Sequence, residues 1–341
     1  MSIDVSLNFM PAFYAKHLGL SYGEEYYFDP RHRADVERRE GRFLHDILGH
    51  RGVSSTHPEP SPNLFIQPVD LVMRTQGAEW RFPRDGTVES CGTPWAGLTP
   101  AEIAAIDAEA AARHPVIDRV LAQYEELRAM YGERADLFGL KSGTMTIHTP
   151  YTTAHQLCGA KLLELLLLDP EGASTILAKV ADIYHALFRR ITARTGARIE
   201  RIQLGDCAAS MLSEATYRAR VLPSNAALAA AHGSAGYHSC GPSSHLLSAF
   251  AELPGMDSIQ LGPGTNIARA AALMPGTRLE PLVDPLIVRN GTPSAVADYV
   301  DAVQAQASPA PAVILCAWSF DRETPVGNVD ALYSVVEDRL R

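Results

Sequence analysis

The chain has 341 residues, 46% hydrophobic and 20% charged, with a formal net charge of -9 and a pI near 5.7. That balance excludes partners that reward clustered Lys and Arg, namely nucleic acid and anionic membranes, and leaves enough apolar side chain for a large core. The expected partner is a small molecule or another protein, and the length suits a single α/β barrel domain spanning 1–341.

The opening stretch, Met1 to Val5, lacks the basic-then-apolar layout of a signal peptide, and the longest apolar run, Leu162 to Leu168, is interrupted by Glu164. No membrane segment is expected. The cysteines, at 91, 158, 207, 240 and 316, are odd in number and widely scattered. This usage fits a reducing compartment, and a cytoplasmic location is expected.

Residues 1–62 read as an N-terminal extension with helices packed on the barrel. Aromatic and charged residues alternate through Phe13 to His17 and Tyr22 to Pro30, and these tyrosines either pack or line a pocket mouth. Arg31 to Arg42 reads as a solvated helix, and Ser54 to Pro62 as a loop. Leu64 to Arg74 and Glu79 to Phe82 read as strands, with a hairpin turn at Arg84 to Thr87. Thr99-Pro100-Ala101-Glu102 has the layout of a capping box opening a helix. A further helix follows near Val116 to Tyr131.

From there strands and helices alternate. Strands are expected at Thr144–His148, Ile199–Leu204, 235–240, Ser258–Leu261, Leu279–Val283 and Ala312–Trp318. Helices are expected at Thr152–Leu168, Ala173–Thr195, Glu214–His232, Ser244–Glu252, Ile267–Leu273, Pro293–Gln306 and Val326–Leu340. Six strand–helix units call for a parallel sheet, and two upstream strands bring the count to a (β/α)8 TIM barrel with an N-terminal extension. A doubly wound sheet is the alternative, but no Gly-x-Gly-x-x-Gly turn follows an early strand.

In such a barrel the reactive groups gather where the strands end. His148, Asp206 with Cys207, His238 with Cys240, and Cys316 all fall at those ends. A strand over 235–240 projects His238 and Cys240 from one face, because side chains alternate with a period of two. With Cys316 from a neighbouring strand they make one nitrogen and two sulfur donors, a set that suits Zn²⁺ with its fourth position open, or copper. Cys207 is a candidate additional ligand. Asp206 is the candidate for orienting the substrate or a metal-bound group, with helix N-capping as its alternative role. His148 and Gln156 are placed at the pocket from the preceding unit.

Several segments together resemble the uroporphyrinogen decarboxylase superfamily. They are Thr149-Pro150-Tyr151-Thr152 through Gly159, Leu204-Gly205-Asp206, Met211-Leu212-Ser213, Val221-Leu222-Pro223, His238-Ser239-Cys240-Gly241, Glu280 to Pro285, Gly291-Thr292-Pro293, and Cys316 followed by Thr324-Pro325. Within it the chain is most similar to the corrinoid-linked methyltransferase branch, the methylcobalamin:coenzyme M methyltransferase-like enzymes. The resemblance implies a TIM barrel, zinc held by His238, Cys240 and Cys316, and methyl transfer between a corrinoid and a thiol or other small acceptor. No corrinoid-binding Asp-x-His-x-x-Gly segment occurs in this chain, so the corrinoid is expected on a partner protein.

The arginine-rich N-terminal motif with which the superfamily's decarboxylases grip tetrapyrrole carboxylates has no counterpart before Arg31. Gln156 stands where those enzymes carry a tyrosine, and the neighbourhood of Cys316 replaces their C-terminal histidine. The alternatives are a lyase acting on a different carboxylated small molecule and a metal-binding relative with another activity. Homo-oligomers are also common among barrels of this length.

Overall fold

A computed structural model describes residues 2–307 and 310–340. Its strands are β1 (Ser2–Phe9), β2 (Asn63–Leu64), β3 (Glu79–Arg81), β4 (Glu89–Cys91), β5 (Asp136–Leu137), β6 (Thr144–His148), β7 (Arg201–Gly205), β8 (Ser234–Ser239), β9 (Met256–Leu261), β10 (Arg278–Pro281) and β11 (Ala312–Phe320). Seven of them form one sheet in the order β1-β11-β10-β9-β8-β7-β6, with every pair parallel. The run from β6 to β11 is the expected series of strand–helix units, each strand lying beside its predecessor. Such a sheet needs crossover helices, and these cover its outer face.

The expected eight-stranded closure is not what the ladders form. Among the described residues no ladder joins β6 to β1; β2 pairs with β5 alone, and β3 with β4 as an antiparallel hairpin. The expected strand from Leu64 to Arg74 is corrected: only Asn63–Leu64 is extended, and Pro68–Thr75 is a helix. Pro68 sits in the first helical turn, where its missing N–H is harmless, and Val69, Leu71, Val72 and Met73 are buried. The strand β1 was not foreseen, although its sequence alternates.

Capping is largely as the sequence indicates. Thr99 and Glu102 form the reciprocal capping box, and Asn266 caps the helix Ile267–Leu273 by accepting from the Arg269 N–H. The expected helix from Glu214 to His232 comes in three pieces, with a π-helical turn at Tyr217–Val221 before Leu222–Ala231. Pro223, which cannot donate, follows that turn.

One apolar cluster runs through the sheet and its helices. A second, built on Phe13, Tyr14, Leu20, Tyr22 and Val36, belongs to the N-terminal extension. No helix among the described residues is long and apolar enough to cross a membrane.

Candidate metal centre

Alternation along each strand sorts the residues into two faces. On β7, Ile202 and Leu204 are buried while Arg201 and Gln203 are not. Tyr237 of β8 points outward to the helices, where it packs on Phe250 and bonds to Tyr217. Its neighbour His238 therefore points inward, as the period of two requires.

On that inner face a polar chain crosses three strands. Arg278 donates to Glu280 Oε1 at 2.9 and 2.7 Å, and Gln260 Nε2 donates to Glu280 Oε2 at 2.8 Å. That orientation leaves Gln260 Oε1 as the acceptor facing His238 Nδ1 at 2.8 Å. Nδ1 consequently carries the proton, and Nε2 is turned to Cys240 Sγ, 2.8 Å away. Outer partners of this kind set the tautomer and aim of a ligating histidine. Replacing Gln260 with Ala is expected to weaken zinc binding by roughly 10–100-fold while the far-ultraviolet spectrum is unchanged, as measured by competition with a chromophoric chelator.

Cys207, at the turn that follows β7, meets Cys240 with 2.9 Å between sulfurs. The ligand atoms of Cys207, His238 and Cys240 all lie within 4.8 Å of one another. Cys240 is exposed, and the other two are half-buried, so the group opens to solvent. The hydrogen bond from Cys207, aided by the His238 imidazole, holds the Cys240 thiol well below its ordinary value. The same bond, followed by burial, raises the Cys207 thiol. Burial opposes a charge on His238, but its bonds to Cys240 and Gln260 outweigh this and raise it. One nitrogen and two sulfurs converging in this way are donors fit for a soft divalent metal.

This trio differs in one member from the expected set. Cys316 is buried on β11 and is not among the gathered donors. Burial and then the field of Glu280 push its thiol up to about 12. Two residues further along, the register between β1 and β11 slips by one, from Leu7↔Ala317 to Phe9↔Phe320. Ser319 takes a left-handed φ of 68° at the slip. Such bulges re-aim neighbouring side chains, and Trp318 stacks on His238 with ring centroids 6.1 Å apart. Cys316 thus lies on β11, the strand whose Trp318 reaches His238.

His148 lies beside the group without belonging to it: it feels the charges of His238 and Cys240, bonds to Gln156, and is lowered, first by burial and then by His238. Gly205 makes room for its ring, since a Cβ there would lie 2.9 Å from His148 Cδ2. Gly262 plays the same part beneath Cys240, where a Cβ would meet the Cys240 carbonyl oxygen at 2.2 Å. Gln156 is exposed at the mouth.

Asp206 is elsewhere. It is 0% exposed, with its carboxylate on the helix side of the sheet. It accepts from Thr149 Oγ1 at 2.8 Å, Thr152 Oγ1 at 2.8 Å, Tyr237 Oη at 2.7 Å and Asn225 Nδ2 at 3.1 Å. Burial raises its pKa against these four bonds. Its backbone N–H donates to the His238 carbonyl at 2.7 Å, so the network anchors the turn that presents Cys207. Gln260 is the functional residue that the sequence reading missed; its signal was a lone amide in the otherwise apolar Ile259-Gln260-Leu261.

The uroporphyrinogen decarboxylase (URO-D) family matches residues 77–339. A uroporphyrinogen decarboxylase of Mycolicibacterium paratuberculosis (strain ATCC BAA-968 / K-10) is 31% identical over 145 residues, and the match spans 39% of this chain and 39% of that protein's length. Among solved structures, a methyltransferase from Methanosarcina mazei superposes over 100% of this chain and 94% of its own, with a TM-score of 0.68 at 16% identity. A B12-independent methionine synthase from Shewanella sp. W3-18-1, solved with selenomethionine, covers 99% of this chain and 98% of its own, with a TM-score of 0.50 at 10% identity. At these identities the two structures speak for the fold alone. The family match, running through β3 and every later strand, establishes that the chain belongs to the uroporphyrinogen decarboxylase family.

Proposed function

We propose that the protein is a zinc-dependent methyltransferase moving a methyl group between a corrinoid, carried by a partner protein, and a thiol or similar small acceptor. The observation that carries this reading is the convergence of Cys207, His238 and Cys240 at the strand ends with one side open. Zinc, when bound, lowers the pKa of a thiol enough for the thiolate to persist at neutral pH. His238, Cys240 and Cys207 would hold it, and the same donors suit copper. The Arg278–Glu280–Gln260 chain keeps His238 in one tautomer, and Trp318 stacks beside its ring. His148, whose charged form burial disfavours, would take the proton that the substrate thiol releases.

The match to a decarboxylase favours a second reading, a lyase acting on a carboxylated small molecule. Against it, the arginines on the inner face are already paired, Arg278 with Glu280 and Arg201 with Asp257. Neither is left to grip a substrate carboxylate. The deciding experiment incubates metal-replete protein with methylcobalamin and a panel of thiols and follows loss of the cobalt–carbon bond spectroscopically. Thiol-dependent demethylation that disappears on chelation supports methyl transfer, whereas an inert panel with carbon dioxide released from carboxylated substrates supports the lyase.

A further inference from the structure

Sheet register carries two thiols to the same place. In the parallel pair β7 and β8, Gly205 stands opposite His238, and the Asp206 N–H extends that ladder by donating to the His238 carbonyl. Two residues beyond each partner come Cys207 and Cys240. Neighbouring strands run about 4.8 Å apart, inside the range of roughly 4.4–6.8 Å between Cα atoms that a disulfide spans. The two sulfurs are 2.9 Å apart, so closing to the bonded length of about 2.05 Å needs only a small rotation of the side chains.

Both turns are held in place. The Asp206 network pins the first. The second is fixed by the Ser243 N–H, which donates to Thr265 Oγ1 at 3.0 Å, and by Gly241, where a Cβ would lie 2.9 Å from Ser210 Oγ. Cys240 is exposed and Cys207 half-buried, so an oxidant arriving from solvent meets Cys240 first and finds Cys207 behind it. Of the other cysteines, Cys158 and Cys316 are buried and Cys91 lies on the β3–β4 hairpin. Among the described residues no other two cysteine sulfurs are in contact.

We infer that Cys207 and Cys240 are a peroxide-responsive dithiol pair: in the metal-free protein a hydroperoxide converts them to a disulfide, which closes the centre to metal until a thiol reductant reopens it. The Cys240 sulfur attacks the O–O bond and takes one oxygen as a sulfenic acid, while the other leaves as water. The Cys207 sulfur then attacks the sulfenic sulfur. An S–S bond forms, the S–O bond breaks, and the hydroxyl departs with the Cys207 proton as a second water. The thiols together lose two electrons and two protons, and the peroxide gains both. A dithiol reductant reverses the step by exchange and becomes a disulfide itself. Because thiolates and not disulfides ligate metal, only His238 of the trio is left as a donor in the oxidised form. The same closure spares Cys240 from irreversible oxidation to the sulfinic acid. The pairing rests on the neighbourhood of the two thiols alone, and only its protection by zinc depends on the reaction proposed above.

The test treats full-length protein, stripped of metal by a chelator, with a small excess of hydrogen peroxide, followed by alkylation and peptide mapping. Free thiols are expected to fall from five to about three, with the Cys207 and Cys240 peptides joined and separated again by dithiothreitol. Zinc uptake by the oxidised protein should drop to less than about a tenth of the parent value and return on reduction. Cys207→Ser should stop at a sulfenic acid on Cys240, trapped by dimedone, while Cys316→Ser should cross-link as the parent does. Zinc added beforehand should slow cross-linking at least about tenfold. A disulfide from Cys240 to Cys316, one between two molecules, or sulfinic acid at Cys240 with Cys207 still open to alkylation would overturn the assignment. The parent's peptide map decides this even where a serine variant does not fold. Cross-linking that zinc does not slow would keep the pair and remove its thiols as zinc donors.

Discussion

Protein carrying Cys240→Ser, purified without added metal, is expected to hold less than about a tenth of the zinc bound by the parent and to show no thiol-dependent demethylation. Cys240 is the member of the centre that touches both others, with His238 Nε2 at 2.8 Å and Cys207 Sγ at 2.9 Å. A hydroxyl at that position keeps the shape but is a far poorer partner for a soft metal. The two remaining thiols then separate the candidates for third donor. The geometry places the further loss on Cys207→Ser, with Cys316→Ser retaining metal, because Cys316 stands outside the gathered group. Retention in Cys207→Ser with loss in Cys316→Ser would move the third donor to β11, as the resemblance implies. Full zinc in the Cys240→Ser protein would remove the centre altogether. Elemental analysis with a free-thiol count decides among these outcomes.

Asp206→Ala is expected to lower stability by about 3–5 kcal/mol in urea titration, the largest single effect among the residues singled out from the sequence. The carboxylate receives two threonine hydroxyls, a tyrosine hydroxyl and an asparagine amide in a site without water access. Removing it strands those donors together. Thr149 and Thr152 tie the first turn of the helix Pro150–Cys158 to the end of β7, and Tyr237 ties in β8. Loss of the network should also loosen Cys207 and raise the zinc dissociation constant. The opposite pattern, a change of under about 1 kcal/mol in stability with methyl transfer abolished, would return Asp206 to a direct part in the chemistry.

Legibility followed periodicity. The strand Thr144–His148 and the helix Ile267–Leu273 were readable to the residue, because one alternates and the other opens on an Asn cap before apolar residues at helical spacing. The first sixty residues were harder, since their aromatic and charged residues carry no single period. Yet Ile3, Val5, Leu7 and Phe9 alternate, and β1 was there to be seen. The segment after Leu64 misled through composition: Val69, Leu71 and Val72 look like strand residues, but Gln67-Pro68 starts a helix whose buried side the sheet edge selects.

At the site, the His238–Cys240 spacing was sufficient to bring two donors together. Which third thiol meets them depends on the turn after β7 and on the bulge at Ser319, and neither leaves a mark in residue order. Asp206 was conspicuous as a carboxylate at a strand end. Whether such a group faces the mouth or the helices is decided by one residue of alternation, and here it turned outward to Tyr237.

The ladder between β1 and β11 joins Asp4 to Ile314, partners separated by about three hundred positions. Closing a loop of that size is slow compared with forming the neighbouring strand–helix units, so this seam is expected to be the last part of the sheet to assemble. Until it does, β11 offers an unpaired edge to any other chain, and β1 is the guard that occupies it. Shortening β1 should therefore show itself first as aggregation during refolding, before any change in the chemistry of the native molecule.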